Sequence, residues 1–188
     1  RDRRTEEEIG SLLKEKIYVP LVSEIENLFL IPKVIELVAK KQNIENVDDL
    51  LEQTKAKTID FLQEHLEEQS LLFAKKRCQN TINNICNQPT STIEEYKASL
   101  DGVVDIVNPQ EEYNKVREEL QKIIDDKDYL AALKVINNKG LLPSTNLPNV
   151  FGWKKQYYIE YVIRLLESKD SASEELCDIF REYVPVEI

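Results

Sequence analysis

The 188-residue chain has no methionine, one histidine, four glycines and three cysteines, and each scarcity removes a class of chemistry. With His65 as its single imidazole, it offers no Ser–His–Asp or Cys–His nucleophilic arrangement and no HExxH zinc helix. There is no glycine-rich loop to cradle phosphates, which excludes a P-loop ATPase from this sequence. Cys78, Cys86 and Cys177 form no CxxC and have only His65 to complete a zinc set, so they read as reduced thiols of a cytoplasmic protein. No apolar run approaches the roughly 20 residues that cross a bilayer, and no signal peptide opens the sequence, so no membrane association is expected. The absence of methionine, where usage of about 2% predicts a few, and the opening at Arg1 are read as signs of an internal or C-terminal piece.

What is present is 41% hydrophobic and 32% charged residues, the profile of a soluble, helix-rich protein with length for one domain or a domain remnant plus an appendage. The net charge of -10 disfavours nonspecific nucleic-acid binding by the whole surface but leaves room for a local site.

Thr5 to Lys16 reads as a helix. Thr5 and Glu8 form a capping-box pattern, and Ile9, Leu12 and Leu13 share a face. The β-branched and aromatic run Ile17 to Val22 then predicts a buried strand, with Pro20 at an edge or irregular point. Helix followed by strand is half of a βαβ unit whose first strand lies upstream of Arg1. Beyond Val22 the periodicity is helical. Helices are predicted at 32–41, at 47–86 as one long or two joined helices forming a protruding arm or a core-facing element, and at 92–99, 109–124, 128–136, 153–167 and 174–183. The run 103–107 is open between strand and helix, and Gly140 is expected to stop a helix with positive φ.

Three places carry candidate chemistry. Asp2 precedes a capped helix, where open α/β sheets put functional carboxylates, although an Asp there is also an ordinary solvated charge. Glu24 and Glu26 follow the predicted strand with alternating spacing. Two close carboxylates call for a cation, or else Glu26 or Asn27 caps the next helix. Lys139 sits in the turn Asn137–Gly140, positioned to contact a phosphate or simply to lie in a polar turn. Lys154–Lys155 and Lys75–Arg77 read as solvated basic patches, and Trp153, Tyr157, Tyr158 and Tyr161 as a core seam.

Taken in order, these places resemble a known family. The run Arg1-Asp2-Arg3-Arg4-Thr5-Glu6-Glu7-Glu8-Ile9 looks like the Asp-x-Asp region of Toprim domains related to the overcoming-lysogenization-defect (OLD) nucleases. The segment 17–30, with Glu24-Ile25-Glu26-Asn27-Leu28, resembles that family's strand and Ile-Glu-Asn element. Asn138-Lys139-Gly140-Leu141-Leu142 resembles its later lysine turn, with Asn138 where a glycine is expected, and Tyr183-Val184-Pro185 resembles its end. The resemblance implies a mainly α chain: the C-terminal part of a Toprim-like α/β sheet over residues 1–30, then a large helical region over 31–188 with an arm at about 47–87. It implies a nuclease of bacterial anti-phage defence using Mg2+ or Mn2+, with Asp2 and Glu26 toward the metal and Glu26 and Lys139 catalytic. The implied partners are nucleic acid (DNA or RNA, including tRNA), an ABC-type ATPase and a second copy of the chain. With the upstream ligands missing, the 188-residue chain alone is expected to be inactive. The alternative is a noncatalytic helical module that docks onto an ATPase or self-associates.

Overall fold

A computed structural model of the chain describes Arg4 and residues 6–184. The chain is mainly α, and among the described residues there is no strand. In order they form α1 (Glu6–Lys14), a 3-10 segment (Ile25–Leu30), α2 (Pro32–Lys41), α3 (Val47–Glu64), α4 (Leu66–Cys86), α5 (Ile93–Asp101) and α6 (Val103–Ile106). The second half comprises α7 (Pro109–Asp125), α8 (Tyr129–Val135), α9 (Leu141–Ser144), α10 (Leu147–Val150), α11 (Lys155–Glu167) and α12 (Ser171–Tyr183). None of the helices is long and apolar enough to cross a membrane.

Local chemistry explains where the helices begin and end. The side chains of Thr92, Asn108, Asp128 and Asp170 accept backbone N–H bonds from the first turns of α5, α7, α8 and α12, satisfying donors with no partner inside a helix. With so few glycines, the helices close on residues that tolerate the left-handed region less well. Lys16, Asn43 and Lys127 take φ values of 60°, 55° and 51° just past α1, α2 and α7. Each closes a Schellman pair. The N–H of Ile17, Ile44 and Asp128 reaches back to Leu12, Ala39 and Ile123, while the left-handed residue itself donates to Leu13, Lys40 and Ile124. The left-handed conformation costs such a residue about 1 kcal/mol, which the capped carbonyls offset.

The core is centred on the 3-10 segment and α2. Leu28, Phe29, Leu30, Ile31, Val34, Ile35, Val38 and Ala39 are buried against α3, α8, α9, α11 and α12. Because this segment carries only short-range bonds, its carbonyls need partners from elsewhere in a dry interior. The phenol of Tyr158 (α11) donates to the Phe29 carbonyl at 3.0 Å, and that of Tyr129 (α8) donates to the Leu30 carbonyl. Burial pushes both phenols well above the ordinary tyrosine range, so they stay protonated donors. From this core α4 runs outward and α7 returns along it. Arg77 on α4 is held by Glu112 and Glu119 on α7 at 2.9 and 2.7 Å, and α5 and α6 make the connection at the far end.

Several expectations are corrected. Ile17 to Val22 forms no strand. Pro20 has no N–H, the Leu21 N–H bonds the Tyr183 carbonyl, and the Ser23 N–H bonds the Leu133 carbonyl, so the segment straps across two helix ends without a ladder. Of its apolar residues only Val22 is buried, and Ile17 is 47% exposed. Val22 and residues 28–31 pack in the same core cluster as residues of α2, α3, α8 and α11. The stretch 47–86, open between one long helix and two joined ones, is two helices meeting at His65, with α3 in the core and α4 reaching outward. The 103–107 run, open between strand and helix, forms a helix over Val103–Ile106 with Val107 extended, and Gly140 has φ of -75°, opening α9 rather than ending a helix with positive φ. Thr5, the expected cap of α1, and Pro185 lie outside the described residues.

Asp170 gives this architecture a measurable pH dependence. Its carboxylate accepts the Ser168 hydroxyl and the Ala172 and Ser173 N–H groups and sits 3.3 Å from Lys41 Nζ. The Ser168 bond first, then the Ser173 N–H and Lys41, lower its pKa from the ordinary 3.8 to about 2. A pKa lowered on folding contributes stability that is present above the ordinary value and disappears as pH falls through the folded one. The melting temperature should therefore drop more steeply between pH 4 and pH 2 than that of Asp170→Asn. Parallel curves through that window would remove Asp170 from the linkage.

Candidate functional site

The segment Ser23–Asn27 is held against the C-terminal end of α8 by two successive groups. The Ser23 N–H and the Asn27 Nδ2 both donate to the Leu133 carbonyl, at 3.1 and 3.0 Å, and Asn27 Nδ2 also donates to the Ile136 carbonyl at 2.9 Å. These carbonyls have no partners within α8, so one buried amide caps that helix from 106 and 109 positions away in sequence. Neither Glu26 nor Asn27 caps α2. That helix begins at Ile31 without a side-chain cap and has Pro32 in its first turn.

Glu26, next to the clamp, projects to a different partner. Its Oε2 lies 2.6 Å from the ammonium of Lys155 in the first turn of α11, both side chains being partly buried. The same ammonium donates to the Lys139 carbonyl at 2.9 Å. Lys155 thus joins the carboxylate after the strap to the turn after α8. That turn is closed by the Gly140 N–H, which donates to Asn138 Oδ1 at 2.7 Å, and it rests on the Phe61 ring of α3. A Cβ at Gly140 would stand 2.9 Å from Asn138 Oδ1, so the turn admits no larger residue without shifting. Lys139 itself is exposed, as is Lys154. The junction therefore pairs one carboxylate with Lys155 and joins that ammonium to the backbone of the Lys139 turn, on a chain of net charge -10.

Of the residues singled out from sequence, Glu26 and Lys139 are brought into one junction, and Lys155 is what joins them. Asp2 lies outside the described residues. The helix that follows it, α1, packs through Glu8 on Asn80 of α4, roughly 20 Å of helix rise beyond Leu66. Among the described residues no group of three or more His, Cys, Asp or Glu is arranged around a metal. Magnesium settles for one or two protein carboxylates, but Glu26 at the junction is already paired with Lys155. The described residues by themselves thus fall short of a metal centre.

A second concavity, a polar cleft of about 510 Å³, opens between α1, α4 and α7. Its walls mix cations and anions, among them Arg4, Arg77 and Lys115 with Glu8, Glu15 and Glu112. Arg77 is committed to two glutamates, so the cleft has no excess charge of either sign. The sequence reading missed the roles of Asn27 and Lys155. Asn27 carried a signal, being the one amide inside the otherwise apolar stretch around Leu28–Ile31. Lys155 carried none, because a lysine at a helix start looks the same whether solvated or inserted between two loops. Comparison with protein families, with curated proteins and with solved structures returns no match.

Replacing Asn27 with alanine should lower unfolding stability by about 2–3 kcal/mol, since it removes two hydrogen bonds and orphans the Ile136 carbonyl. Asn27→Asp should cost more at neutral pH, because a carboxylate would face two carbonyl oxygens. Urea midpoints measure both, and an Asn27→Ala midpoint equal to wild type would rule out the clamp.

Proposed function

We propose that the chain is the C-terminal portion of a divalent-metal-dependent nuclease of the Toprim type, acting on nucleic-acid phosphodiesters in anti-phage defence. The observation that supports this reading most is the junction itself. Glu26 and the Asn138–Gly140 turn, two of the places where the sequence resembles that family, meet through Lys155 instead of lying on separate faces. In this reading the exposed Lys139 ammonium contacts a non-bridging phosphate oxygen and offsets charge that grows in the transition state. Lys154 supplies further local attraction for the polyanion, which an acidic surface otherwise lacks. Gly140 and Asn138 hold the turn so that Lys139 is presented from a fixed backbone. In this reading Mg2+ or Mn2+ would be held by Asp2 and Glu26 together with carboxylates from outside the described residues, and would supply charge neutralisation at the reacting phosphate. The setting is cytoplasmic, with an ABC-type ATPase as partner.

The test uses the natural full-length protein with its partner ATPase, incubated with DNA and with tRNA in the presence of Mg2+ or Mn2+. Divalent-dependent cleavage is expected, with Glu26→Gln and Lys139→Ala each slowing it by about 100-fold or more while leaving the melting temperature within a few degrees. Full activity in both variants, or no cleavage of either substrate, would sink the reading. The second reading, a noncatalytic helical docking module, is favoured by the apolar surface along α4 and by α5, which contains no buried residue.

A further inference from the structure

The outward half of the α4–α7 pair carries a groove of about 540 Å³ lined by Leu71, Ala74, Cys78, Ile82, Pro109 and Tyr113. Its wall is apolar. Among its lining residues the one charge is Lys75, with Gln79 and Gln110 as neutral neighbours. Leu71 is 59% exposed at its edge, more than a leucine on a packed helix pair requires.

Close by in the chain lies a helix with the opposite problem. α5 has nine residues, none of them buried. Isolated helices shorter than about 12 residues are marginal in water, so α5 depends on its caps or on a partner surface. It has the caps: Thr92 accepts the Glu95 N–H, and the Glu95 carboxylate accepts the Ser91 N–H. It also has an apolar stripe that is only partly covered. Ile93 and Leu100 stand seven positions apart, within about 20° of each other around the axis, and are 70% and 40% exposed. Tyr96 lies on the same face and is half-buried. The remaining charges on α5 are Glu94, Glu95 and Asp101 against Lys97, a net acidic helix.

From these complementary surfaces we infer that the α4–α7 groove receives α5 of a second copy of this chain, and that the exchange is reciprocal. An acidic amphipathic helix matches an apolar groove whose rim bears a lysine, and each copy has both halves of the contact. A two-fold axis then uses the same patch twice. Reciprocity also addresses size, because one short helix in a groove falls below the roughly 1,200 Å² of a stable specific interface and two such contacts approach it. This inference is independent of the nuclease reading.

Sedimentation equilibrium of the 188-residue chain tests it. A dimer is expected, with Leu71→Glu on the groove edge and Ile93→Asp on α5 each weakening association by about 30-fold or more. Lys75→Glu and Glu94→Lys should each weaken it, and combining the two changes should restore it. A monomer at every concentration overturns the proposal and leaves the groove to some other partner. A dimer indifferent to Leu71→Glu and Ile93→Asp overturns it as well. Because Leu71 is exposed, its variant keeps the test decisive even if Ile93→Asp melts α5, which circular dichroism would reveal.

Discussion

A short 3-10 segment buried at the centre of a helical protein has to find hydrogen-bond partners for its own carbonyls, and much of this molecule is arranged around that need. Tyr158 and Tyr129 bring their phenols in from α11 and α8 to the carbonyls of Phe29 and Leu30. In return Asn27 supplies donors to the C-terminal carbonyls of α8. Each side closes the other's open backbone groups, so the 3-10 segment, α8 and α11 cannot shift independently without leaving buried groups unpaired. An orphaned buried polar group costs on the order of 1–3 kcal/mol, a large fraction of a domain's net stability.

The candidate junction inherits its geometry from this lock. Asn27 fixes the end of α8, and the turn carrying Lys139 begins there. Tyr158 fixes the start of α11, and Lys155 lies three residues before it. Glu26 immediately precedes Asn27 on the segment that both contacts pin. The Glu26–Lys155 pair and its bond to the Lys139 carbonyl therefore sit where three restrained backbones converge. A phosphate-contacting lysine gains from such restraint, because a pre-positioned charge needs no reorganisation when charge develops on the substrate. The same restraint leaves Glu26 satisfied by an ammonium.

Outside the core the economy is different. α4 and α7 hold each other partly through Arg77 and its two glutamates, while at the far end α5 relies on local caps, and α5 and α6 expose Ile93, Leu100 and Ile106. One end of the molecule is fixed by burial and the other by capping chemistry. The capped end is where apolar surface remains open to a partner.

The helices were legible because their causes are local. Pro32, Asn108 and Asp128 announce helix starts, and the apolar faces of α2, α7 and α8 repeat at helical spacing, so the mainly α class and most boundaries follow from residue order alone. The α9 and α10 turns are too short to show a period, and the run 17–22 misled because β-branched composition describes a buried strand only when a neighbouring strand exists to pair with it. The sequence alone singled out Glu26 and Lys139 as candidates, by type and order. The tertiary structure decided that these two share a junction, that Lys155 occupies the space between them, and that Asn27 clamps α8. No local pattern encodes such contacts, because each depends on where a distant backbone carbonyl or carboxylate is left without a partner once the core has closed.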